Sequence, residues 1–506
     1  VTAVFSVNPA TGEEQELDVH ETTTDEVLAL TQRAASSALA FADRPLTWRA
    51  SMLRAMADEL ERDAASLVEI ANRETALGTP RLEGELRRTA FQLRFFADVV
   101  LDGAFLGVSI DHAGDSPMGP LPDLRRLRIP VGPVAVFGSS NFPFAFSVPG
   151  GDTASALAAG CPVVIKAHPA HPATSLATFR ALQRGAQSVG APDGVLALVF
   201  GFDAGVALVD APAIRAVGFT GSVPAGRSLW SRANARPEPI PFFGELGSAN
   251  PLVVTPAAAE ERAAEIGQGL AGSMTLGVGQ FCTKPGLLFV PQNAHGDALV
   301  STLVDALNQL SSMTMLSDDI AAHFRSGTVT IAGVDGNNQL VGGDAGDGSD
   351  ATAQLFEVPA RVFADASSSA LRAECFGPLA IVIRYLDDVD LRAALSVTDP
   401  ALTFSVFTSS RDPHAAWLFD FAPTRAGRVI ANGYPTGVGV SWSMQHGGPW
   451  PATTSSAATS VGAGGIDRWL RPVTYQNVPN ELLPEALRDE NPLSLPRRVD
   501  GHSEKS

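Results

Sequence analysis

GDTASALAAGCPVVIKAHPAHPATSLATFRALQRGAQSVGAPDGVLALVFGFDAGVALVDAPAIRAVGFTGSVPAGRSLWSRA, residues 151 to 233, decides the fold. In it, Ala-rich GDTASALAAG (151–160) reads as a helix and PVVIKA (162–167) as a short apolar strand. The pattern then repeats: helix 175–190 into strand 195–201, helix 204–211 into strand 213–221, and a last helix over 223–233. Strands separated by helices of about 10–15 residues indicate a parallel sheet of βαβ crossovers. Ligands bind such sheets beyond the strands' carboxyl ends, so a nucleotide site is expected and the fold class is α/β.

Upstream, LRRLRIPVGPVAVFG (124–138) passes from arginines into a β-rich apolar run ending at Gly138 and Ser139. Before it, 21–44 and 49–75 place apolar residues at helical spacing with acids near their starts, as covering helices do. Downstream, a second α/β segment begins near Asn250 and runs to about 445. The turn-rich VGGDAGDGSD (341–350) has acids that do not match a calcium-loop spacing, and no metal site is expected. The Pro-rich, charged tail after about 480 is expected to pack poorly. No internal repeat is seen.

A chain of 506 residues exceeds one core, and 45% apolar with 18% charged residues suffices to bury several. A net charge of −18 repels phosphates and anionic lipids, which argues against nucleic-acid and membrane partners. The uncharged run from Ile129 contains Pro130, Pro133, Pro143 and Pro149, so it reads as loop and buried strand, not a membrane span. The first residues lack a basic region followed by an apolar core, so no secretory signal is expected. Three cysteines (161, 282, 375) without metal or CxxC spacing suit a reducing compartment, and a cytoplasmic location is expected. Only three lysines occur (166, 284, 505) against 33 arginines, so an internal lysine invites a specific explanation.

Three segments carry chemistry. In GQFCTKPG (279–286), Cys282 stands between glycine-bearing turns; it is either a nucleophile at a cleft or a buried structural cysteine. In FFGELGSANP (242–251), Glu245 is the one acid in an apolar, glycine-rich setting. Desolvation there would raise its pKa towards neutrality and make it a general base; the alternative is a capping carboxylate. In GSSNFPFAF (138–146), Asn141 follows a strand, where its amide would donate to an oxyanion or serve a turn.

Together, these segments resemble the aldehyde dehydrogenase superfamily, whose members combine ELGxxNP, GQxCTxPG and NFP. The resemblance runs from NPATGE (8–13) to PTG (435–437), and the 37-residue interval from Glu245 to Cys282 suits it. It implies that Cys282 attacks an aldehyde, Asn141 and the Cys282 N–H hold the oxyanion, and Glu245 activates the water that hydrolyses the thioester. It also implies a nicotinamide cofactor, NADP or NAD. Lys166 would contact ribose hydroxyls, and Phe219, Thr220, Gly221 and Ser222 would open a helix facing the pyrophosphate. Glu374 and Phe376, from ECFGP, would hold the nicotinamide ribose.

Pro169 stands where many NAD-specific members carry an acid, so NADP is permitted; His168 is the neighbouring group able to offer partial charge. The HxxH made with His171 lacks the further ligands of a metal site. No role is assigned to Lys284. A narrower resemblance, in 150–175 and in QHGGPWPATT (445–454), is to α-ketoglutarate semialdehyde (2,5-dioxopentanoate) dehydrogenases and a bacterial fatty aldehyde dehydrogenase. A ketoacid substrate needs an arginine anchor that sequence does not single out. Phe142, Phe146 and Trp442 would instead line an apolar tunnel for a longer aliphatic aldehyde. The alternatives are thioester transfer to coenzyme A, which a water-activating Glu245 argues against, and a silent scaffold.

The expected organisation is a Rossmann-like cofactor domain (1–115 and 134–249) and an α/β catalytic domain (250–454). A small β oligomerisation element (116–133 with 455–485) and a tail (486–506) complete it. The resemblance implies a homo-oligomer, dimer or tetramer.

Overall fold

The computed structural model describes residues 2–504 except Asp344, Arg411, Pro413 and His414. Val1, Lys505, Ser506 and the Asp344 position of the 341–350 loop thus lie outside the described residues.

The N-terminal covering helices form as expected. Thr24–Ala42 starts from a capping box: the Glu26 carboxylate accepts the Thr23 N–H at 2.8 Å, and the Thr23 hydroxyl accepts the Glu26 N–H at 3.3 Å. The run over 49–75 is two helices, Leu46–Arg62 and Ala64–Thr75, interrupted at Asp63. With Thr79–Asp102 they bury Met52, Met56, Leu60, Leu93 and Phe96 against Leu157 and Leu182. Each such side chain contributes about 1.5–3 kcal/mol, which fixes the helices on the sheet.

That sheet has five strands in the order Phe242–Glu245, Ala216–Thr220, Val134–Phe137, Val163–Lys166, Leu196–Val199, every neighbouring pair parallel. Helices Gly151–Ala159, Pro172–Ser188, Phe202–Asp210 and Val223–Ala235 alternate with the strands. The chain builds outward from Val134–Phe137 on one side, then crosses to the other. The resulting crevice beyond Phe137 and Thr220 is a topological switch point.

A second sheet of seven strands follows from Pro251, in the order Asn338–Val341, Gln354–Pro359, Leu379–Tyr385, Leu287–Pro291, Pro251–Val254, Ala401–Phe407, Ala426–Ala431. Only the Asn338–Val341 edge is antiparallel. The α/β class is as the sequence implies. Among the described residues no helix is long and apolar enough to cross a membrane.

The stretch 124–138 is split between sheets. Leu124–Pro130 pairs antiparallel with Leu470–Gln476 and with Ser109–Asp111, while Val134–Phe137 enters the five-stranded sheet. The tail is corrected here. Arg497–Val499 pairs parallel with Ser109–Asp111, and His502–Glu504 extends the same sheet. Leu483, Leu487 and Leu495 are buried with Val108, Ile110 and Leu127. Apolar residues spaced among prolines pack without periodicity, which is why the segment reads as unpacked. Ser109–Asp111 likewise joins this sheet, inside the span expected for the cofactor domain.

Candidate active site

The two large sheets present opposite ends to one cleft. The five-stranded sheet brings the carboxyl ends of its strands, followed by Asn141 and Ser222 and including Lys166 and Glu245. The seven-stranded sheet brings amino ends: Asn250 precedes Pro251–Val254, Cys282 precedes Leu287–Pro291, and Glu374 and Phe376 precede Leu379–Tyr385.

The Cys282 loop is held by backbone geometry. Gly277 (φ 55°), Val278 (φ 61°) and Gly279 (φ 65°) are all left-handed, a strain that a β-branched valine bears only where packing over-determines it. A Cβ on Gly279 would collide with the Gly377 carbonyl, so close contact of this loop with ECFGP demands glycine. Asn250, fully buried, clamps the loop. Its Nδ2 donates to the carbonyls of Cys282 (2.6 Å) and Lys284 (3.1 Å), and its Oδ1 accepts from Ser248 Oγ (2.9 Å) and Thr403 Oγ1 (3.0 Å). Cys282 is partly exposed, while Cys161 and Cys375 are buried.

Cys282 Sγ lies 3.7 Å from His446 Nε2, and that nitrogen lies 3.0 Å from Glu245 Oε1. The Ser460 hydroxyl donates to Glu245 Oε2. Burial pushes the Cys282 thiol well up, and the Glu245 and Glu374 carboxylates push it further against the pull of Arg428. The resting thiol is therefore protonated and needs a neighbouring base. The expectation for Glu245 is corrected in direction. Burial does press its pKa upward, but His446 and Ser460 outweigh that and hold the carboxyl below its ordinary value. His446 sits in QHGGPWPATT, 164 residues from the thiol, and no local spacing marks it.

Asn141 Nδ2 donates to the Gln280 carbonyl at 2.9 Å, which leaves one of its two amide hydrogens for a ligand. Its own carbonyl accepts Arg81 Nη2 at 2.7 Å. Phe142 packs on Phe281 (ring centroids 5.0 Å) and Phe146 lies against His446 (6.1 Å), so both flank the cluster. Trp442 rests on Phe95 (5.5 Å) and is 55% exposed, farther out.

At the switch point, Lys166 ends its strand with its alkyl chain against Gly205; burial lowers its pKa to about 8, opposed by Glu21. Ser222 caps Val223–Ala235 by accepting the Ala225 N–H, so the helix start faces the crevice; the Gly221 N–H donates to the Glu245 carbonyl at 3.1 Å and Thr220 ends the strand. Two expectations are corrected. Phe219 is a core residue, its ring buried between Phe137 and Phe242. His168 offers no charge: burial, His171 and Lys166 push its pKa well down, its ring stacks on His171 (5.5 Å), and its Nδ1 accepts the Ala170 N–H (3.1 Å). His171 donates Nε2–H to the Ser139 carbonyl at 2.8 Å, a structural bond.

Burial raises Glu374 to about 7 despite Lys284, and the half-buried Phe376 follows it. Lys284 itself turns away from the thiol and donates to the Leu379 carbonyl. A strand-end lysine, a helix start at the crevice and a carboxylate beside the nucleophile loop fit the ribose, pyrophosphate and nicotinamide ends of a dinucleotide.

Residues 2–470 match the model of the aldehyde dehydrogenase family. The chain is 45% identical over 471 residues to alpha-ketoglutaric semialdehyde dehydrogenase 2 of Azospirillum brasilense, covering 92% of this chain and 89% of the relative. It is 41% identical over 485 residues to alpha-ketoglutaric semialdehyde dehydrogenase of Acinetobacter baylyi, covering 95% and 92%. In structure it is similar to an NADP-dependent enzyme of E. coli (TM-score 0.80, 23% identity, 94% of both chains). It is equally similar to 1-pyrroline-5-carboxylate dehydrogenase from Thermus with bound NAD (TM-score 0.80, 20% identity, 94% and 90%). With a family match over most of its length and a partly exposed cysteine beside a buried acid, this chain belongs to the aldehyde dehydrogenase family, enzymes that oxidise aldehydes with NAD or NADP.

Proposed function

We propose that the chain oxidises 2,5-dioxopentanoate (α-ketoglutarate semialdehyde) to 2-oxoglutarate through a thioester on Cys282. The observation that carries this reading is 45% and 41% identity, over nearly the whole chain, to two relatives named for that aldehyde.

In its neutral form with the hydrogen on Nδ1, His446 takes the Cys282 proton on Nε2, and the Glu245 carboxylate 3.0 Å from that nitrogen stabilises the imidazolium that forms. The thiolate attacks the aldehyde carbon, and the oxyanion accepts hydrogen bonds from Asn141 Nδ2–H and the Cys282 N–H. A bound nicotinamide supplies the hydride acceptor, with Lys166, the Ser222-capped helix and Glu374 as its holders. Collapse of the tetrahedral adduct leaves an acyl group on sulfur. Glu245, unprotonated at neutral pH, then removes a proton from water, which attacks the thioester and releases the acid and the thiolate.

The test follows reduced-cofactor absorbance with 2,5-dioxopentanoate, a medium-chain aliphatic aldehyde or neither, in wild type and Cys282→Ala. Turnover of the ketoacid that vanishes in the variant is the expected result. Turnover of the aliphatic aldehyde alone would overturn the substrate and favour the apolar flank of Phe142 and Phe146.

The sheet containing Leu124–Pro130 and Leu470–Gln476 is inferred to join subunits into a dimer or tetramer. Met118, 96% exposed, and the exposed Leu121 support this as apolar side chains on an adjoining hairpin. Three unpaired cysteines support a cytoplasmic location.

A further inference from the structure

Three arginines close on the cleft: Arg81, Arg88 and Arg428, all desolvated enough for their pKa values to be pulled down. Each keeps one buried nitrogen without a partner, Arg81 Nη1, Arg88 Nη2 and Arg428 Nε, so what separates them is where the rest of each guanidinium is engaged. Arg428 spends Nη1 and Nη2 on the carbonyls of Gly437 and Pro435. Arg81 donates Nη2 to the Asn141 carbonyl, its guanidinium lies over the rings of Phe142 and Phe281, and its Nη1 fills the space that a side chain on Gly277 would need. It braces the nucleophile and oxyanion loops against each other.

Arg88 is different. It lies two turns farther along the same face of helix Thr79–Asp102, over the ring of Phe146 (5.2 Å to the centroid), and that ring in turn faces His446. Its Nη1 donates to Gln92 Oε1 (3.1 Å) and its Nε to the Val438 carbonyl (3.3 Å), but its Nη2 is buried without a partner. Glu85, on the same helix, gives its Oε1 to the N–H groups of Phe144 and Ala145 at 2.8 and 2.9 Å. The charge Arg88 feels most is that of Glu85, followed by those of Cys282 and Glu245, which Arg428 shares from its own side of the cleft. A buried guanidinium with an idle N–H is costly unless an anion completes it.

We propose that Arg88 receives the carboxylate of the substrate, holding an acid-bearing aldehyde with its carbonyl turned towards Cys282. This rests on the reading of the substrate as a ketoacid semialdehyde and names the residue that selects it. Phe146 forms the wall along which the carbon chain lies, and the guanidinium above that ring closes the pocket on the carboxylate side.

The experiment compares kcat and KM for 2,5-dioxopentanoate, glutaric semialdehyde and pentanal in wild type, Arg88→Gln and Arg88→Lys. Arg88→Gln should raise KM for both acids about 100-fold with kcat little changed, leave pentanal within about 3-fold, and be partly rescued by Arg88→Lys. Equal losses on acids and pentanal, or none on either, would overturn the anchor. Independently of any variant, glutarate should slow iodoacetamide alkylation of Cys282 in the wild-type protein and glutaramide should not; equal protection by both also overturns it. If wild type prefers glutaric semialdehyde to 2,5-dioxopentanoate while Arg88→Gln still loses both acids, the substrate reading fails and the anchor stands. If 2,5-dioxopentanoate is preferred and Arg88→Gln loses nothing, the anchor fails and the substrate reading stands.

Discussion

The carboxyl ends of the five-stranded sheet and the amino ends of the seven-stranded sheet meet across one cleft, yet they contribute in different ways. At the first, the features proposed to hold the cofactor follow mostly from chain direction: a helix start after Thr220 and a crevice made by strand order, with one strand-end lysine added. Side chains there that the motif suggested for binding are otherwise occupied, Phe219 in the core and His168 neutral against His171. At the second, side chains carry the chemistry, and a buried polar network positions them: Asn250 grips the Cys282 loop, and Glu374 faces Lys284. A dinucleotide is held by direction and topology, whereas a nucleophile needs its neighbours fixed to a fraction of an ångström.

That division predicts that the two ends can be damaged separately. Cys282→Ala should lower aldehyde oxidation by about 10⁴-fold or more while leaving cofactor affinity within about 2-fold. Absorbance of reduced cofactor and equilibrium binding measure the two, and a parallel loss of binding would break the division. His446→Asn should lower kcat about 10²- to 10³-fold and slow alkylation of Cys282 at neutral pH, because the raised thiol loses its base. Unchanged alkylation would remove His446 from the proton path.

Asn250→Ala leaves the carbonyls of Cys282 and Lys284 without their buried donor, at a cost of about 1–3 kcal/mol. Thermal unfolding should show a lower Tm, and kcat should fall more than cofactor affinity does. The smallest effect is a pH dependence. Glu374 is raised from 4.5 to about 7, so the folded protein holds its proton more tightly than the unfolded chain does. Its contribution to stability should therefore decline as pH rises from 4.5 to about 7 and level off above, while cofactor affinity climbs over the same upper range as the carboxylate forms. Glu245 runs the other way: its depressed pKa supports stability above the ordinary carboxyl value, and that support is lost as pH falls below it. Denaturant titration of wild type and Glu374→Gln across this range separates the two trends.

Much of the molecule was legible locally. Helix and strand periods over 151–233 are short-range properties of side-chain spacing, and they specify the parallel sheet and its switch point. The segments bearing Asn141, Glu245 and Cys282 stand out because glycines surround a single polar or reactive residue in each. Sequence also leads correctly to the family, since motif order survives without knowledge of contacts.

What only tertiary structure decided depends on residues far apart in the chain. His446 reaches Cys282 across 164 residues, Asn250 serves carbonyls on another loop, and Leu487 and Leu495 find a core that composition hides. The directions of the pKa shifts belong here too: burial alone argued for a raised Glu245, and a histidine from the far end of the sequence reversed it. Periodicity and turn chemistry are written in neighbouring residues, whereas electrostatics and polar satisfaction are set by whatever the fold brings alongside.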